Sequence, residues 1–127
     1  MKKGDEAQFE LIRRDVSVWN EWRDKYPDIA INLRAGDFSR HNLKRANLRQ
    51  ADLFRVCCDH AVLHKADFQD ADLRKASFRF SSLECATFEK ADMRGADLQG
   101  ADLTRANFSG ANLQNANLKD AVLNMTV

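Results

Sequence analysis

The chain has 127 residues, the length of a single domain. Lys and Arg number 20 and Asp and Glu number 19, so no global field selects a polyanionic or a polycationic partner. No segment approaches the roughly 20 apolar residues of a membrane span, and the N-terminus lacks the apolar region of a secretion signal. Three cysteines do not form a disulfide framework. A reducing cytoplasm is the simplest location for such a chain.

Residues 1–30 contain no repeat and predict one amphipathic helix from about residue 6 to residue 25. Its apolar stripe has helical spacing and comprises Phe9, Leu11, Ile12, Val16, Val18, Trp19 and Trp22. Asp5 followed by Gln8 predicts a capping box at the start, and Pro27 ends the helix. We expect this helix to cap the domain that follows; the alternative is a free helix that binds a partner.

Residues 31–125 consist of one five-residue unit repeated nineteen times without insertion, as in Ala96-Asp97-Leu98-Gln99-Gly100. The apolar centres are residue 33 and every fifth residue to 123. Twelve centres are Leu and five are Phe, and the other two are Met93 and Cys58. Ala stands two positions before fourteen of the nineteen centres, and Asp or Asn stands one position before thirteen. Self-similarity of this kind indicates a repeat architecture, so residues 31–127 are predicted to form a second unit after residues 1–30.

A period of five fits neither regular element over a long span. On an α-helix successive centres would lie about 140° apart, and on a continuous strand they would alternate between the two faces. Within one unit, however, Ala-Asp-Leu alternates in-out-in like a very short strand, and the last two residues suit a corner. Coils built from such units must stack in order to bury their apolar residues and to pair their backbones. The sequence therefore predicts an all-β solenoid.

The unit resembles the A-[DN]-L-x-x motif of the pentapeptide-repeat family over residues 31–125, and Trp19 to Ile29 is similar to the leader that precedes the repeats in some members. The resemblance implies a right-handed quadrilateral β-helix with four units per coil. Nineteen units then make 4.75 coils, a rod of about 23 Å at about 4.8 Å per coil. Gly36 and His41 stand where Ala is usual, so we expect an irregular first coil under the capping helix, with His41 packed or hydrogen-bonded there.

Stacking by twenties predicts four columns of core side chains. One column is Leu33, Leu53, Leu73, Met93 and Leu113, and a second is Phe38, Cys58, Phe78, Leu98 and Leu118. A third is Leu43, Leu63, Leu83, Leu103 and Leu123, and a fourth is Leu48, Phe68, Phe88 and Phe108. Phe side chains are thus expected to stack on Phe, and Leu on Leu, so that each layer repeats with similar volume.

The last unit adds apolar side chains to an edge that no closing helix covers. Exposed edges and apolar patches pair with other surfaces, and some family members dimerise in this way. The sequence therefore predicts a homodimer joined through the C-terminal coil, and the alternative is a monomer whose native tail has been removed. The candidate interface comprises Leu118, Ala121, Val122, Leu123, Met125 and Val127.

One group of residues superficially resembles a set of metal ligands: Cys57, Asp59, His60, His64 and Cys85. The repeat geometry separates them, because Cys58 is an inward centre, His60 is a corner residue and His64 lies up to about 13 Å further along the chain. Zinc ligands must lie about 2.0–2.3 Å from one point. We expect His60 to stack between Arg40 and Phe80 instead. No catalytic grouping, metal site or cofactor site is predicted, and the scattered glycines are expected at corners with positive φ.

The remaining signal lies on the surface, where Phe54 and Phe80 occupy outward positions that are otherwise polar. Aromatic rings among arginines and lysines are common in binding sites. The candidate partner-binding surface comprises Arg34, Phe54, Arg55, Arg74, Lys75, Arg79, Phe80 and Arg94. A solvated, salt-bridged face is the alternative, because Asp52, Asp72 and Asp92 form the neighbouring column.

Three functions are compatible with these features. The first is a non-catalytic scaffold or adaptor that binds a protein partner. The second is implied by resemblance to the quinolone-resistance members, which are similar to duplex DNA in size and charge and occupy topoisomerase. Here residues 81–127 carry four basic and six acidic groups, a weak charge for mimicry of DNA. The third is weak nucleic-acid binding by residues 31–80, which carry ten basic and six acidic groups.

Overall fold

A computed structural model describes residues 4–127. Two helices, α1 (Glu6–Arg14) and α2 (Val16–Lys25), precede the repeats. The prediction of one helix over residues 6–25 was wrong, because Asp15 has an extended backbone with φ −164° and ψ 118°. Its carboxylate accepts hydrogen bonds from the N–H and the hydroxyl of Ser17, at 2.8 and 2.6 Å. Asp15 therefore ends α1 and caps α2. Neither helix is long and apolar enough to cross a membrane.

Each repeat contributes one ladder residue, the residue before its centre. Fifteen parallel bridges join ladder residues that are twenty apart, from Asn32 with Asp52 to Asp102 with Val122. Four units therefore make one coil, and the predicted stacking by twenties is confirmed. Asp52 shows the pattern: its N–H donates to the Ile31 C=O and its C=O accepts from the Leu33 N–H, both at 2.9 Å. Strands of one residue suffice because each internal coil pairs with the coils before and after it.

Every unit ends in a tight turn. The C=O of each centre accepts a hydrogen bond from the N–H three residues later, at 2.9–3.3 Å. The residue two after the centre has a positive φ, between 55° and 72°, in all nineteen units. Positive φ at the third residue of a four-residue turn, and not at the second, is characteristic of a type II turn. The prediction of positive φ at Gly95, Gly100 and Gly110 is confirmed, but the same geometry holds at sixteen non-glycine corners, including Arg55 and Phe80.

The preference for Asp or Asn at the ladder position has a local cause. In all thirteen such units a side-chain oxygen accepts a hydrogen bond from the backbone N–H two residues later, at 2.9–3.3 Å. This is an Asx turn, which a short carboxylate or amide side chain makes readily; the Thr87 hydroxyl makes the corresponding bond to the Glu89 N–H, at 3.3 Å. The ladder residue thus orients the corner that follows it.

The centres form the core. Those from Leu33 to Leu103 are all buried, and at most 2% of the surface of each of these residues is exposed. In the predicted aromatic column, the Phe68 and Phe88 rings stack at 5.0 Å and 2°, and the Phe88 and Phe108 rings at 4.8 Å and 5°. Burial then declines along the last coil: the centres from Phe108 to Leu118 are half-buried, and Leu123 is 49% exposed.

The two helices lie against the first coil. Phe9 of α1 is buried beside Gly36, and its ring centroid lies 5.9 Å from that of Phe38. A Cβ at Gly36 would overlap the Phe9 ring, which explains why Gly replaces Ala in this unit. His41 is half-buried, and its Nδ1 lies 2.9 Å from the Ser39 carbonyl oxygen. The irregular first coil is therefore shaped to receive α1.

Candidate interaction surface

The cysteines and histidines that resemble metal ligands lie apart. Cys58 points into the core, and burial raises the pKa of its thiol above the ordinary value. The His60 ring instead stacks on Phe80, at 5.5 Å and 20°. His64 Nδ1 lies 3.7 Å from Glu84 Oε2 on a different face. Among residues 4–127, no three His, Cys, Asp or Glu side chains are placed to hold a metal ion.

Phe54 is enclosed by guanidinium groups. The Cζ atoms of Arg34, Arg74 and Arg55 lie 4.6, 5.1 and 5.4 Å from its ring centroid, which is cation–π distance. Arg34 comes from the coil before and Arg74 from the coil after, so their side chains sandwich the ring, which is half-buried. The aromatic surface of Phe54 is therefore largely used within the molecule.

The same arginines pair with the neighbouring aspartate column. Arg34 Nη1 lies 3.0 Å from Asp52 Oδ2, and Arg74 Nη2 lies 2.7 Å from Asp72 Oδ2. Arg94 makes the equivalent pair with Asp92, and the pKa values of Asp72 and Asp92 are lowered by the hydrogen bonds from Arg74 and Arg94. Exposed pairs of this kind contribute little stability each. They do neutralise the charge that a partner would meet on this face.

Phe80 lies in a different environment, on a corner of the rod. The side chain is 50% exposed, and one ring face stacks on His60. The other side lies against Gly100, where a Cβ would overlap the ring. Arg79 lies nearby, with its Cζ 5.9 Å from the Phe80 centroid. Phe80 was predicted from the sequence as an interaction residue, but its contact with Gly100 was not, although the spacing of twenty indicates it.

The other predicted surface residues are dispersed. Lys75 is an exposed corner residue whose Cγ lies 3.5 Å from the place of a Cβ at Gly95. On the last coil the exposed fractions are 42% for Val122, 71% for Met125 and 75% for Val127. Leu118 and Ala121 are half-buried there. Among residues 4–127, the large apolar side chains exposed outside the helices are thus Phe80 and those of the C-terminal coil, together with Tyr26, Ile29 and Val62.

Comparison with protein-family models identifies the repeat. The model for pentapeptide repeats matches eight copies, over residues 30–70, 61–100 and 88–124. The chain belongs to the pentapeptide-repeat family. Its members form right-handed quadrilateral β-helices, and the stacking of four units per coil agrees with that architecture. No curated protein matches this pentapeptide-repeat chain in sequence.

Solved pentapeptide-repeat structures are similar to this chain. A protein of the Arabidopsis thaliana thylakoid lumen is 30% identical, with a TM-score of 0.50 over 74% of this chain and 59% of its own. A protein of the cyanobacterium Nostoc PCC 7120 is 32% identical, with a TM-score of 0.48 over 84% of this chain and 73% of its own. QnrB1, a plasmid-mediated fluoroquinolone resistance protein, is 16% identical over 72% of this chain and 66% of its own, with a TM-score of 0.43. This last likeness says nothing about the function of the chain.

Proposed function

We propose that this pentapeptide-repeat protein is a non-catalytic scaffold that binds a protein partner through the Phe80 corner. The observation that carries the proposal is the half-exposed Phe80 ring, held between His60 and Gly100. A large aromatic side chain with fixed orientation and a nearby Arg is typical of the residues that dominate binding energy at interfaces. Phe54 does not offer an accessible ring of this kind, because three arginines enclose it.

The rod supports this role by holding the corner rigidly. The Phe80 N–H donates to the Gln99 C=O at 2.9 Å, and the turn that contains Phe80 is closed by the Ser81 N–H donating to the Phe78 C=O at 3.2 Å. Binding to such a preorganised site has a small entropic cost, because the site is already ordered. In this proposal the protein is a rod of 4.75 coils, closed at its first coil by the two helices, in a reducing cytoplasm.

The test is affinity capture from the source cell with the parent protein, Phe80→Ala and Phe54→Ala. We expect Phe80→Ala to lose the main captured protein, because truncation of a central aromatic residue costs about 2 kcal/mol or more of binding energy. Phe54→Ala is the matched control, since it removes an aromatic side chain from another outward position. An unchanged set of captured proteins with Phe80→Ala would show that this corner does not bind the partner.

We also propose that the last coil joins two copies of the chain. Leu123, Met125 and Val127 together present exposed apolar side chains beside an unpaired edge, and a second copy would cover both. Light scattering at high micromolar concentration should give the mass of a dimer, and Leu123→Asp with Met125→Asp should give that of a monomer. A monomer mass for the parent protein would end the proposal.

Mimicry of DNA remains less favoured. It requires an uninterrupted negative surface, whereas Asp52, Asp72 and Asp92 lie in ion pairs with arginines. A gyrase supercoiling assay with and without quinolone separates the two functions, because a scaffold for another partner leaves the assay unchanged.

A further inference from the structure

The first coil has a backbone edge that no preceding coil pairs. In the rest of the rod, three groups of each unit face the preceding coil: the N–H and C=O of the ladder residue, and the C=O two residues later. In the unit of Asp52, for example, the Asp52 N–H donates to Ile31, the Asp52 C=O accepts from Leu33 and the Phe54 C=O accepts from Ala35. The four units of the first coil have no such neighbour.

Side chains of α2 replace the missing coil along one side of the first coil. In the unit of Asn47, the Asn20 side chain accepts from the Asn47 N–H at 2.8 Å, and the Trp19 indole donates to the Asn47 C=O at 2.9 Å. Arg23 donates to the same C=O at 3.0 Å and to the Arg49 C=O at 2.8 Å. Every edge group of that unit therefore has a partner.

The helix α1 covers the two units at the start of the coil. The Gln8 side chain accepts from the Asn32 N–H at 2.8 Å, and the Asp5 N–H donates to the Asn32 C=O at 2.8 Å. Arg13 donates to the Asp37 C=O at 3.1 Å. Two edge groups of the Asn32 unit and one of the Asp37 unit thus have partners from α1 and its N-cap residue.

The unit of residues 41–45 is different. Its three edge groups are the Asn42 N–H, the Asn42 C=O and the Lys44 C=O, and none has a hydrogen-bond partner among residues 4–127. The cause is the break between the helices, because Asp15 lies opposite this unit. The gap is an open cavity of about 370 Å³, with Asp15 and Ser17 on one side and Asn42 and Lys44 on the other. This volume is within the range of ligand sites.

The charge around the gap is positive. Two exposed basic residues, Lys44 and Arg45, line it, and Lys65 lies one coil on from Arg45; none of the three forms an ion pair within the described part of the chain. One acidic residue, Asp15, also lines the cavity, and the hydrogen bonds from Ser17 lower its pKa and keep it charged, so the basic residues outnumber it without cancelling it. An acidic occupant would therefore find complementary charge.

We propose that an extended acidic peptide of a partner protein adds to this edge as a strand, a site separate from the Phe80 corner. Such β-augmentation uses a free strand edge for affinity and neighbouring side chains for specificity. In the register of the preceding coil, one peptide C=O accepts from the Asn42 N–H, and the N–H two residues later donates to the Asn42 C=O. Those two peptide residues point toward the rod axis, and the residues between them point outward, alongside Lys44.

The edge chemistry favours a peptide over a nucleic acid. Two of the three open groups, the Asn42 and Lys44 carbonyls, need hydrogen-bond donors. A peptide strand supplies N–H groups at the required alternation, whereas phosphates offer only acceptors and the donors of RNA, its 2′-hydroxyls and bases, do not have that alternation. Basic residues alone would suit either partner, but the carbonyl groups suit the peptide.

The probe for this site is a fluorescein-labelled ten-residue peptide of alternating Val and Glu. Anisotropy titration of the full chain at low salt should show saturable binding. Two derivatives test the register: N-methylation of every Val should abolish binding, because the inward residues donate to the edge, and N-methylation of every Glu should leave it intact. Lys44→Glu should weaken binding about fivefold, whereas Lys119→Glu, at the same place in a unit of the last coil, should not.

Amide exchange gives a direct readout. The Asn42 amide should exchange rapidly in the free protein and become at least tenfold slower with the peptide bound, while the Val62 amide, which donates to His41 at 2.9 Å, should be slow in both states. The proposal is overturned if the peptide does not bind, if both methylated peptides bind alike, or if the Asn42 amide is not slowed. Tighter binding of a labelled oligouridine than of the peptide, lost in Lys44→Glu, would assign the site to nucleic acid and also overturn it.

Discussion

The first and last coils of this rod are built from the same unit, yet their cores are buried to different extents. Leu33 and Leu113 belong to one column, but Leu33 is fully buried under α1 and Leu113 is only half-buried. Leu43 and Leu123 share another column, and their exposed fractions are 1% and 49%. A repeat sequence thus specifies which way a side chain points, and the neighbouring layer decides how much of it is buried. The stability of each unit therefore depends on its position along the rod.

The largest expected effect comes from truncating centres in the two environments. Phe78→Ala should lower the free energy of unfolding by about 3–5 kcal/mol, because it leaves a cavity between fully buried rings. Leu83→Ala should behave similarly. Leu123→Ala should cost less than about 1 kcal/mol in the monomer, because half of the side chain already meets solvent.

Urea denaturation of the three variants at low micromolar concentration checks this contrast. Equal losses at Phe78 and Leu123 would show that the last coil is covered in solution, and the comparison between the ends would then fail. Repeating the Leu123→Ala measurement at high concentration adds the contribution of the proposed dimer.

A smaller effect tests how α1 is seated. Gly36→Ala should destabilise the protein by about 1–3 kcal/mol, because the added Cβ overlaps the buried Phe9 ring. The penalty should largely disappear when Phe9 is already Ala, which a double-mutant cycle measures. Gly95→Ala lacks this overlap, since its Cβ would meet only Lys75, at 3.5 Å; its own penalty comes from the positive φ of 71° and should be the same when Phe9 is Ala. An undiminished Gly36→Ala penalty in the Phe9→Ala protein would contradict the packing.

The smallest expected effect is a loss of folding stability at acid pH. The pKa of Asp102 is lowered by hydrogen bonds from the Thr104 hydroxyl and N–H, and the pKa of Asp37 by those from Ser39. A lowered pKa in the folded state contributes stability above the ordinary aspartate pKa of about 3.9, which is lost as pH falls through the folded value. The urea midpoint should therefore be steady between about pH 7 and 5 and fall below about pH 4.

Asp102→Asn isolates one of these groups. An Asn at the ladder position keeps the Asx turn, as Asn107 and Asn112 show, but it does not titrate. The acid loss should be slightly smaller in this variant, and its midpoint at pH 7 slightly lower, because the amide lacks the stabilising contribution of the ionised carboxylate. A steeper acid loss in Asp102→Asn would contradict this prediction, because the ionised Asp102 would then not stabilise the folded protein.

The columns of the rod could be predicted from sequence because the unit leaves few alternatives. An uninterrupted period of five, with one apolar centre per unit, places Phe68, Phe88 and Phe108 in one stack once four units form a coil. The break at Asp15 was missed because the apolar stripe continues across it from Ile12 to Val16. A signal was present, since Asp is a common N-cap and Ser17 follows at the spacing of an Asx turn.

The environment of the surface residues could be predicted only in part. Phe54 and Phe80 look alike in sequence, and their difference depends on long arginine side chains folding over one ring. The open edge at Asn42 depends on where two helices separate relative to the coil beneath them. Both are consequences of tertiary packing, which local pattern does not contain.

The nineteen left-handed corners have a consequence for how this rod comes into being. Thirteen of them hold residues other than Gly, Asn and Asp, for which that backbone conformation is unfavourable by about 1 kcal/mol or more each. An isolated unit cannot offset this, because its N–H and C=O groups find partners only in adjacent coils. Assembly must therefore begin with at least two coils together and then spread along the chain. Shortening the chain by one whole coil would reduce its stability in one large step rather than in proportion to the residues removed.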